Sequence, residues 1–168
     1  MNKQTKNLVF GALIAAIYVV VTHLQNFLIP DSASMAIQFR ASEALCVLAF
    51  FTPAAIPGLA IGCLLFNLSF AGALPLDFLI GTLATLIATG GMWLTRNVTI
   101  KGYPLPGLLM PAIANGLLVG WELAHYIGGG FWFNAACVAI GEAAVLLTLG
   151  SLLYYTLRRR NLDRTLFQ

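Results

Sequence analysis

One stretch of sequence decides the fold: residues 8–29 read LVFGALIAAIYVVVTHLQNFLI, without an acidic or basic charge. A helix that crosses a bilayer needs about 20 predominantly apolar residues, and this run supplies them. Lys3 and Lys6 precede it. A secretory signal has an apolar core of only about 7–15 residues and a small-residue cleavage site. We therefore predict that the segment is retained as a first transmembrane helix.

The composition of the whole chain agrees with this interpretation. Of 168 residues, 60% are hydrophobic and 9% are charged, and the mean hydropathy is +0.87. A soluble domain is about 45–50% apolar and about 25% charged. These values exclude an ordinary soluble domain and a disordered chain. They also exclude a nucleic-acid-binding protein, which needs a basic face. We therefore expect the chain to be embedded in a lipid bilayer.

Hydropathy along the chain predicts an all-α integral membrane protein with one transmembrane domain over 1–168. The six predicted helices cover about 8–29, 41–52, 55–70, 76–95, 105–127 and 131–157. Basic residues concentrate on the cytoplasmic side of membrane proteins. With six spans and both termini cytoplasmic, only Arg40 of the nine basic residues falls on the outer side. The same topology puts Arg158–Arg160 inside, whereas five spans would place that cluster outside.

Polar side chains inside the spans are the candidate functional residues, because charges in a bilayer are costly and mark a function, a pair or a water-filled cavity. By depth along their helices, most belong to the outer third of the bundle: Arg40, Glu43, Asn67, Asp77, Trp121, Glu122, His125 and Asn134. Asn115 and Glu142 lie deeper, at similar depths on the fifth and sixth helices. We predict a concave site that opens outward, with Asn115 and Glu142 as its floor.

Several of these residues also have a purely structural interpretation. Arg40 and Glu43 are spaced i,i+3 and can pair with each other. Asp77 suits the N-terminus of a helix because of the helix dipole. Glu122 and His125 share a helix face and can form a structural hydrogen bond. Glu142, near mid-membrane, needs a partner or a proton.

Aromatic and small residues carry further alternatives. Trp121 and Trp132 suit membrane-interface anchors, or flat surfaces beside polar groups for a planar heterocycle. Two GxxxG pairs, Gly58/Gly62 and Gly116/Gly120, predict close packing between helices inside the protein. On the first helix, a stripe of small residues either packs internally or presents its alanines to another subunit. That stripe consists of Gly11, Ala12, Ala15 and Ala16.

Sequence signatures of catalysis are absent. The sequence contains no GxxxxGK[ST], HExxH or GxSxG motif, and its three cysteines lack metal-ligand spacing. We predict no catalytic residue, no metal and no cofactor. An intramembrane enzyme using Glu142 and His125 is disfavoured, because about 10 Å of helix rise separates them. An outward site without an ATP-binding motif implies passive movement or a partner that supplies the energy.

Three segments resemble a known family. Residues 38–45 (QFRASEAL), 54–67 (AAIPGLAIGCLLFN) and 77–86 (DFLIGTLATL) are similar to the QueT family, and the likeness extends over essentially the whole chain. Its members are substrate-binding S-components of energy-coupling factor (ECF) transporters, assigned to precursors of the modified base queuosine. The resemblance implies six helices in the plasma membrane of a prokaryote. It also implies association with one transmembrane coupling protein and two ATPases, through an AxxxA pattern that Ala12 and Ala16 match and Gly11 and Ala15 extend.

The resemblance further implies a 7-deazaguanine ligand: 7-aminomethyl-7-deazaguanine (preQ1), its nitrile relative (preQ0) or queuine. Glu122 or Glu43 would accept hydrogen bonds from the guanine-like edge, and Asp77 would bind a protonated aminomethyl group. Arg40, Gln38 or Asn134 would donate to its carbonyl. The predicted substrate-binding residues are Gln38, Arg40, Glu43, Asn67, Asp77, Trp121, Glu122, His125, Phe131, Trp132 and Asn134. The alternatives are an S-component for another vitamin or heterocycle, and a membrane scaffold that transports nothing.

Overall fold

The computed structural model describes residues 2–30 and 39–161, and no strand occurs within these two ranges. Seven α-helices, one 3-10 helix and one π-helical turn follow each other there. They are α1 (Lys3–Leu28), the 3-10 helix (Ala41–Phe50), α2 (Ala55–Ser69), α3 (Asp77–Leu94), α4 (Leu105–Leu108), α5 (Met110–Tyr126), α6 (Phe131–Val145), the π-helical turn (Leu146–Gly150) and α7 (Ser151–Arg159).

Four helical segments of the described chain are long and apolar enough to cross a membrane: Lys3–Leu28, Asp77–Leu94, Leu105–Tyr126 and Phe131–Arg159. The third combines α4 with α5, and the fourth combines α6, the π-helical turn and α7. The 3-10 helix and α2 are apolar but shorter. The prediction of an all-helical, multi-pass membrane protein is therefore confirmed, whereas six spans with cytoplasmic termini remain a prediction.

The segment predicted as a second helix over 41–52 is a 3-10 helix that ends at Phe50. Three residues per turn place every third side chain in one row, and two adjacent rows are buried. The buried rows are Glu43, Cys46 and Ala49, and Ala44, Val47 and Phe50. A 3-10 helix rises about 2.0 Å per residue, against about 1.5 Å in an α-helix. Ten residues therefore reach about 20 Å into the bundle.

The 3-10 helix lies at the centre of the fold. It contacts α1, α2, α3, α6, α7 and the π-helical turn. Around it the successive long helices pack as neighbours, α1 on α2, α2 on α3, α3 on α5 and α5 on α6. The main apolar core surrounds its buried rows and includes Tyr18, Leu59, Phe66, Leu108 and Leu146. This arrangement carries the polar residues of the 3-10 helix into the interior.

Glycines allow two pairs of helices to approach closely. A Cβ atom at Gly58 would lie 2.6 Å from the carbonyl oxygen of Gly11, so α1 and α2 touch backbone to backbone there. A Cβ atom at Gly120 would lie 2.6 Å from the Cα atom of Ala135 on α6. Internal packing of the two GxxxG pairs is thereby confirmed.

We expect Gly58→Ala to lower the melting temperature of the purified protein, because the added methyl group must separate α1 from α2. Overpacking of this kind costs about 1–3 kcal/mol. Gly90→Ala on α3 is the matched control, since nothing lies within 4 Å of a Cβ atom there. Thermal unfolding in detergent should show a loss only for Gly58→Ala. Equal melting temperatures would contradict the backbone contact.

Candidate functional site

Three helices and the 3-10 helix bring one guanidinium and four carboxyl groups together in the interior. These residues, the acidic cluster, are Arg40, Glu43, Asp77, Glu122 and Glu142. Each is at most 9% exposed. The charge of Arg40 acts on each of the four carboxyl groups. Four acids against one base leave a formal excess of negative charge, and charges out of water need compensating hydrogen bonds or ions.

Glu43 is held by neighbours within the protein. Its Oε1 atom accepts a hydrogen bond from the Tyr18 hydroxyl at 2.6 Å, and its Oε2 atom accepts one from the Cys46 thiol at 3.2 Å. Arg40, the residue that directly precedes the 3-10 helix, lies close enough for its charge to act on Glu43. The two donors, Tyr18 and Cys46, hold the Glu43 carboxylate in place.

A polar stripe on α1 holds the start of the 3-10 helix. Thr22 donates a hydrogen bond to the Ser42 hydroxyl at 2.7 Å, and the backbone N–H of Ala41 donates to Gln25 Oε1 at 2.6 Å. Together with Tyr18, these α1 residues are spaced i, i+4 and i+7, which places them on one helix face. Sequence reasoning missed this stripe. The helical spacing of the few polar residues within 8–29 was the signal that could have revealed it.

Glu122 has a different environment from Glu43. Its side chain is 0% exposed, and neither carboxylate oxygen has a hydrogen-bond partner in the described part of the chain. The Asp77 carboxyl lies close to it, but a hydrogen bond between the two acids would need a shared proton. The hydrogen bond considered between Glu122 and His125 is not formed. Glu122 therefore presents two buried acceptors without a donor.

Two further buried acceptors also lack donors among the described residues: Glu142 Oε2 in the acidic cluster, and Asn67 Oδ1 on α2. Asn115 lies beside the Glu142 carboxyl, in keeping with their similar predicted depth. The Asn67 amide nitrogen donates to the carbonyl oxygen of Asp77 at 2.9 Å, which leaves its oxygen unpaired. Buried polar groups are almost always hydrogen-bonded. A set of unpaired acceptors therefore fits a ligand that carries N–H donors.

Asp77 both stabilises the loop before α3 and belongs to the acidic cluster. Its Oδ2 atom accepts a hydrogen bond from the backbone N–H of Leu74 at 2.6 Å, which fixes the loop before α3. This contact agrees with the structural interpretation of Asp77 as a helix-start residue. The same carboxyl also acts on Glu122 and Arg40. Asp77 thus connects the loop 70–76 to the acidic cluster.

The predicted stacking residues lie outside the acidic cluster, near the α5–α6 connection. Trp132 is 76% exposed, and its ring contacts Phe131 edge to face at 4.8 Å between centroids. Trp121 is half exposed and stacks on the exposed ring of His125. The aromatic residues that contact the cluster include Phe66, whose ring lies 5.8 Å from the Arg40 guanidinium, and Tyr18, which donates to Glu43.

Asn134, another predicted site residue, takes part in the connection between α5 and α6. The amide of Asn134 donates to the carbonyl oxygen of Gly128 at 3.0 Å and closes the connection between α5 and α6. Gly128 and Gly129 both have positive φ angles there, of 94° and 82°. Gln38 lies outside the described residues.

The small-residue stripe of α1 divides into two faces. Gly11 and Ala15 face α2, where a Cβ atom at Gly62 would lie 3.1 Å from the Ala15 carbonyl oxygen. Ala12 and Ala16 are exposed on the opposite side of the helix. Of the four residues predicted for partner docking, two are thus used inside the protein and two face outward.

The fold and the acidic cluster define a multi-pass helical membrane protein with a buried, charged site between its helices, an arrangement typical of membrane transporters. The chain belongs to the QueT transporter family, which matches residues 8–159. QueT is a family of S-components of ECF transporters. Comparison with curated proteins and with solved structures gave no match.

Proposed function

We propose that this chain captures a queuosine precursor of the 7-deazaguanine class in the acidic cluster, as the substrate-binding subunit of an ECF importer. The observation that carries the proposal is Glu122, whose side chain is buried and whose two oxygens have no donor among the residues that the structure describes. A guanine-like edge presents adjacent N–H groups, and one carboxylate can accept both of them. Membership of the QueT family supports the same class of ligand.

Each residue of the cluster has a distinct role in this proposal. Glu122 accepts the two N–H groups of the guanine-like edge, and Arg40 donates to the carbonyl oxygen. Asp77 binds the protonated aminomethyl group, with the unpaired Glu142 oxygen as a further acceptor. Glu43 positions Arg40, since its own oxygens are bound by Tyr18 and Cys46. Phe66 lies beside Arg40 as an apolar surface.

The excess of carboxyl groups favours a cationic ligand over a neutral one. We therefore propose that the amine-bearing deazaguanines bind more tightly than the neutral nitrile. Since the sequence contains no ATP-binding P-loop motif, the energy for uptake comes in this proposal from a coupling protein with two ATPases. The membrane would be the plasma membrane of a prokaryote.

A thermal-shift titration tests the proposed ligand class. The purified chain is titrated with 7-aminomethyl-7-deazaguanine, its nitrile relative, queuine, guanine and a panel of vitamins. A ligand at 100 times its Kd stabilises the folded state by about 2.7 kcal/mol, so we expect a clear rise in melting temperature. The aminomethyl compound should act at lower concentration than the nitrile.

The pattern across the panel separates the alternatives. A rise with a vitamin and none with any deazaguanine would favour an S-component for another heterocycle. The absence of a shift with every compound would favour a membrane scaffold.

A further inference from the structure

A second polar cavity lies at the other end of the helix bundle. Asp77 opens α3 at the acidic cluster and Arg96 follows the last turn of the same helix, so about 27 Å of helix separates the two sites. The cavity has a volume of about 410 Å³. Its polar lining consists of Arg96, Arg158, Asn97 and Thr99, and its apolar lining includes Phe51 and the ring of Tyr154. We call it the arginine cavity.

Aromatic neighbours orient both guanidinium groups of the arginine cavity. Arg96 lies 3.9 Å from the centroid of the Trp93 ring and donates one hydrogen bond to the Trp93 carbonyl oxygen at 2.7 Å. Arg158 donates one hydrogen bond to the Tyr154 hydroxyl at 2.8 Å. Tyr154 is itself only 4% exposed and stacks on Phe51. Because a guanidinium carries five N–H donors, each arginine keeps most of its donors for a ligand.

Within the described residues, the lining of the arginine cavity carries two cations and no acidic side chain. The four carboxyl groups within 2–30 and 39–161 all belong to the acidic cluster at the other end. Arg159 and Arg160 follow Arg158 directly and add to the positive potential. Two oriented guanidinium groups that meet no acidic side chain in the described lining are suited to an anion, and their planar donor pattern matches phosphate oxygens.

We propose that the arginine cavity binds a phosphate group, and that its source is the phosphodiester of an anionic lipid headgroup. The surface beside the cavity supports a lipid source. Leu94, two residues before Arg96, is 79% exposed, and Leu152, on the same helix as Arg158, is 66% exposed. Exposed apolar surface thus reaches to within about two helical turns of the guanidinium groups, so the headgroup of a lipid that covers this surface would lie within their reach.

A lipid-binding measurement with matched variants tests this proposal. The full chain is purified in a neutral detergent, and its melting temperature is followed during titration with phosphatidylglycerol, phosphatidylcholine or inorganic phosphate. Arg96→Gln combined with Arg158→Gln removes both cavity cations. Arg159→Gln combined with Arg160→Gln removes the same charge from neighbouring residues that do not line the cavity. Titration with 7-aminomethyl-7-deazaguanine reports on the acidic cluster separately.

We expect phosphatidylglycerol to raise the melting temperature of the unaltered chain and phosphatidylcholine to have little effect. Losing charge-assisted hydrogen bonds should weaken the response of the Arg96→Gln/Arg158→Gln variant by about tenfold or more. The control pair should change it far less. Inorganic phosphate could raise the melting temperature as much as phosphatidylglycerol does, with the cavity variant losing both responses. That result would contradict the lipid source and assign the phosphate site to a soluble ligand.

Three results would overturn the proposal. The first is the absence of any shift with phosphatidylglycerol and phosphate, and the second is a loss that is equal in the two double variants. The third is a cavity variant that binds both probes normally but no longer associates with a coupling protein, which would make the cavity a protein contact. An unchanged deazaguanine titration would show that the acidic cluster remains intact in either case.

Discussion

Glu122→Gln is expected to weaken binding of 7-aminomethyl-7-deazaguanine by about 100-fold or more, without lowering the melting temperature of the ligand-free protein. The ligand loses two hydrogen bonds to a charged acceptor, each worth about 1.5–3 kcal/mol, and 1.4 kcal/mol corresponds to a factor of ten. The new amide N–H₂ group also faces the donors of the ligand. The free protein loses a buried carboxylate that has no donor within 2–30 and 39–161, so its folding is unchanged or improved.

Glu43→Gln is the matched control, since it makes the same chemical change within the same cluster. Glu43 accepts hydrogen bonds from Tyr18 and Cys46, so its substitution should lower the melting temperature of the ligand-free protein. Calorimetric titration and thermal unfolding of both variants give the comparison. Wild-type affinity in Glu122→Gln would remove Glu122 from the binding site.

Ala12→Leu combined with Ala16→Leu is expected to abolish uptake of the ligand by cells while leaving its binding to the purified chain intact. Both alanines are exposed on α1 and touch no buried site, so larger side chains there should obstruct only a partner. Small residues allow helices in a membrane to approach closely. The measurement pairs uptake of labelled ligand in cells that supply the coupling module with titration of the purified variant.

Two controls define the meaning of this result. Ala136→Leu enlarges an exposed alanine of α6 and should leave uptake unchanged. Ala15→Leu enlarges an alanine that is 5% exposed and packed against α2, so it should destabilise the protein itself. Normal uptake by the double variant would place the partner contact on another surface. Loss of ligand binding would assign Ala12 and Ala16 a packing role.

Hydropathy predicts the helical membrane fold well for a simple reason. A backbone in lipid must satisfy its own hydrogen bonds, so long apolar runs become helices. The segment 41–50 shows that the hydropathy pattern does not specify the type of helix. An apolar run of ten residues fits either three or 3.6 residues per turn. Only its packing among the surrounding helices distinguishes the two, and that packing is a tertiary property.

The sequence indicates position along a helix but not rotation about the helix axis. Trp121 and Glu122 are consecutive, and their predicted depths are nearly equal. One residue turns an α-helix by about 100°, so Trp121 is half exposed whereas Glu122 is completely buried. The division of the α1 stripe into Ala12 and Ala16 outside and Ala15 inside has the same cause. A single sequence gives position along a helix more readily than direction around it.

The π-helical turn at Leu146–Gly150 determines how far α7 is rotated about the helix axis relative to α6 within the longest span. Glu142 precedes this turn and Arg158 follows it, so one helix carries the acidic cluster at one end and the arginine cavity at the other. A π-helical turn accommodates extra residues within an α-helix. Deleting one of them would rotate all of α7 by about 100° relative to α6. The length of this five-residue segment, more than the identity of its side chains, therefore keeps Glu142 directed at the acidic cluster while Arg158 lines the arginine cavity.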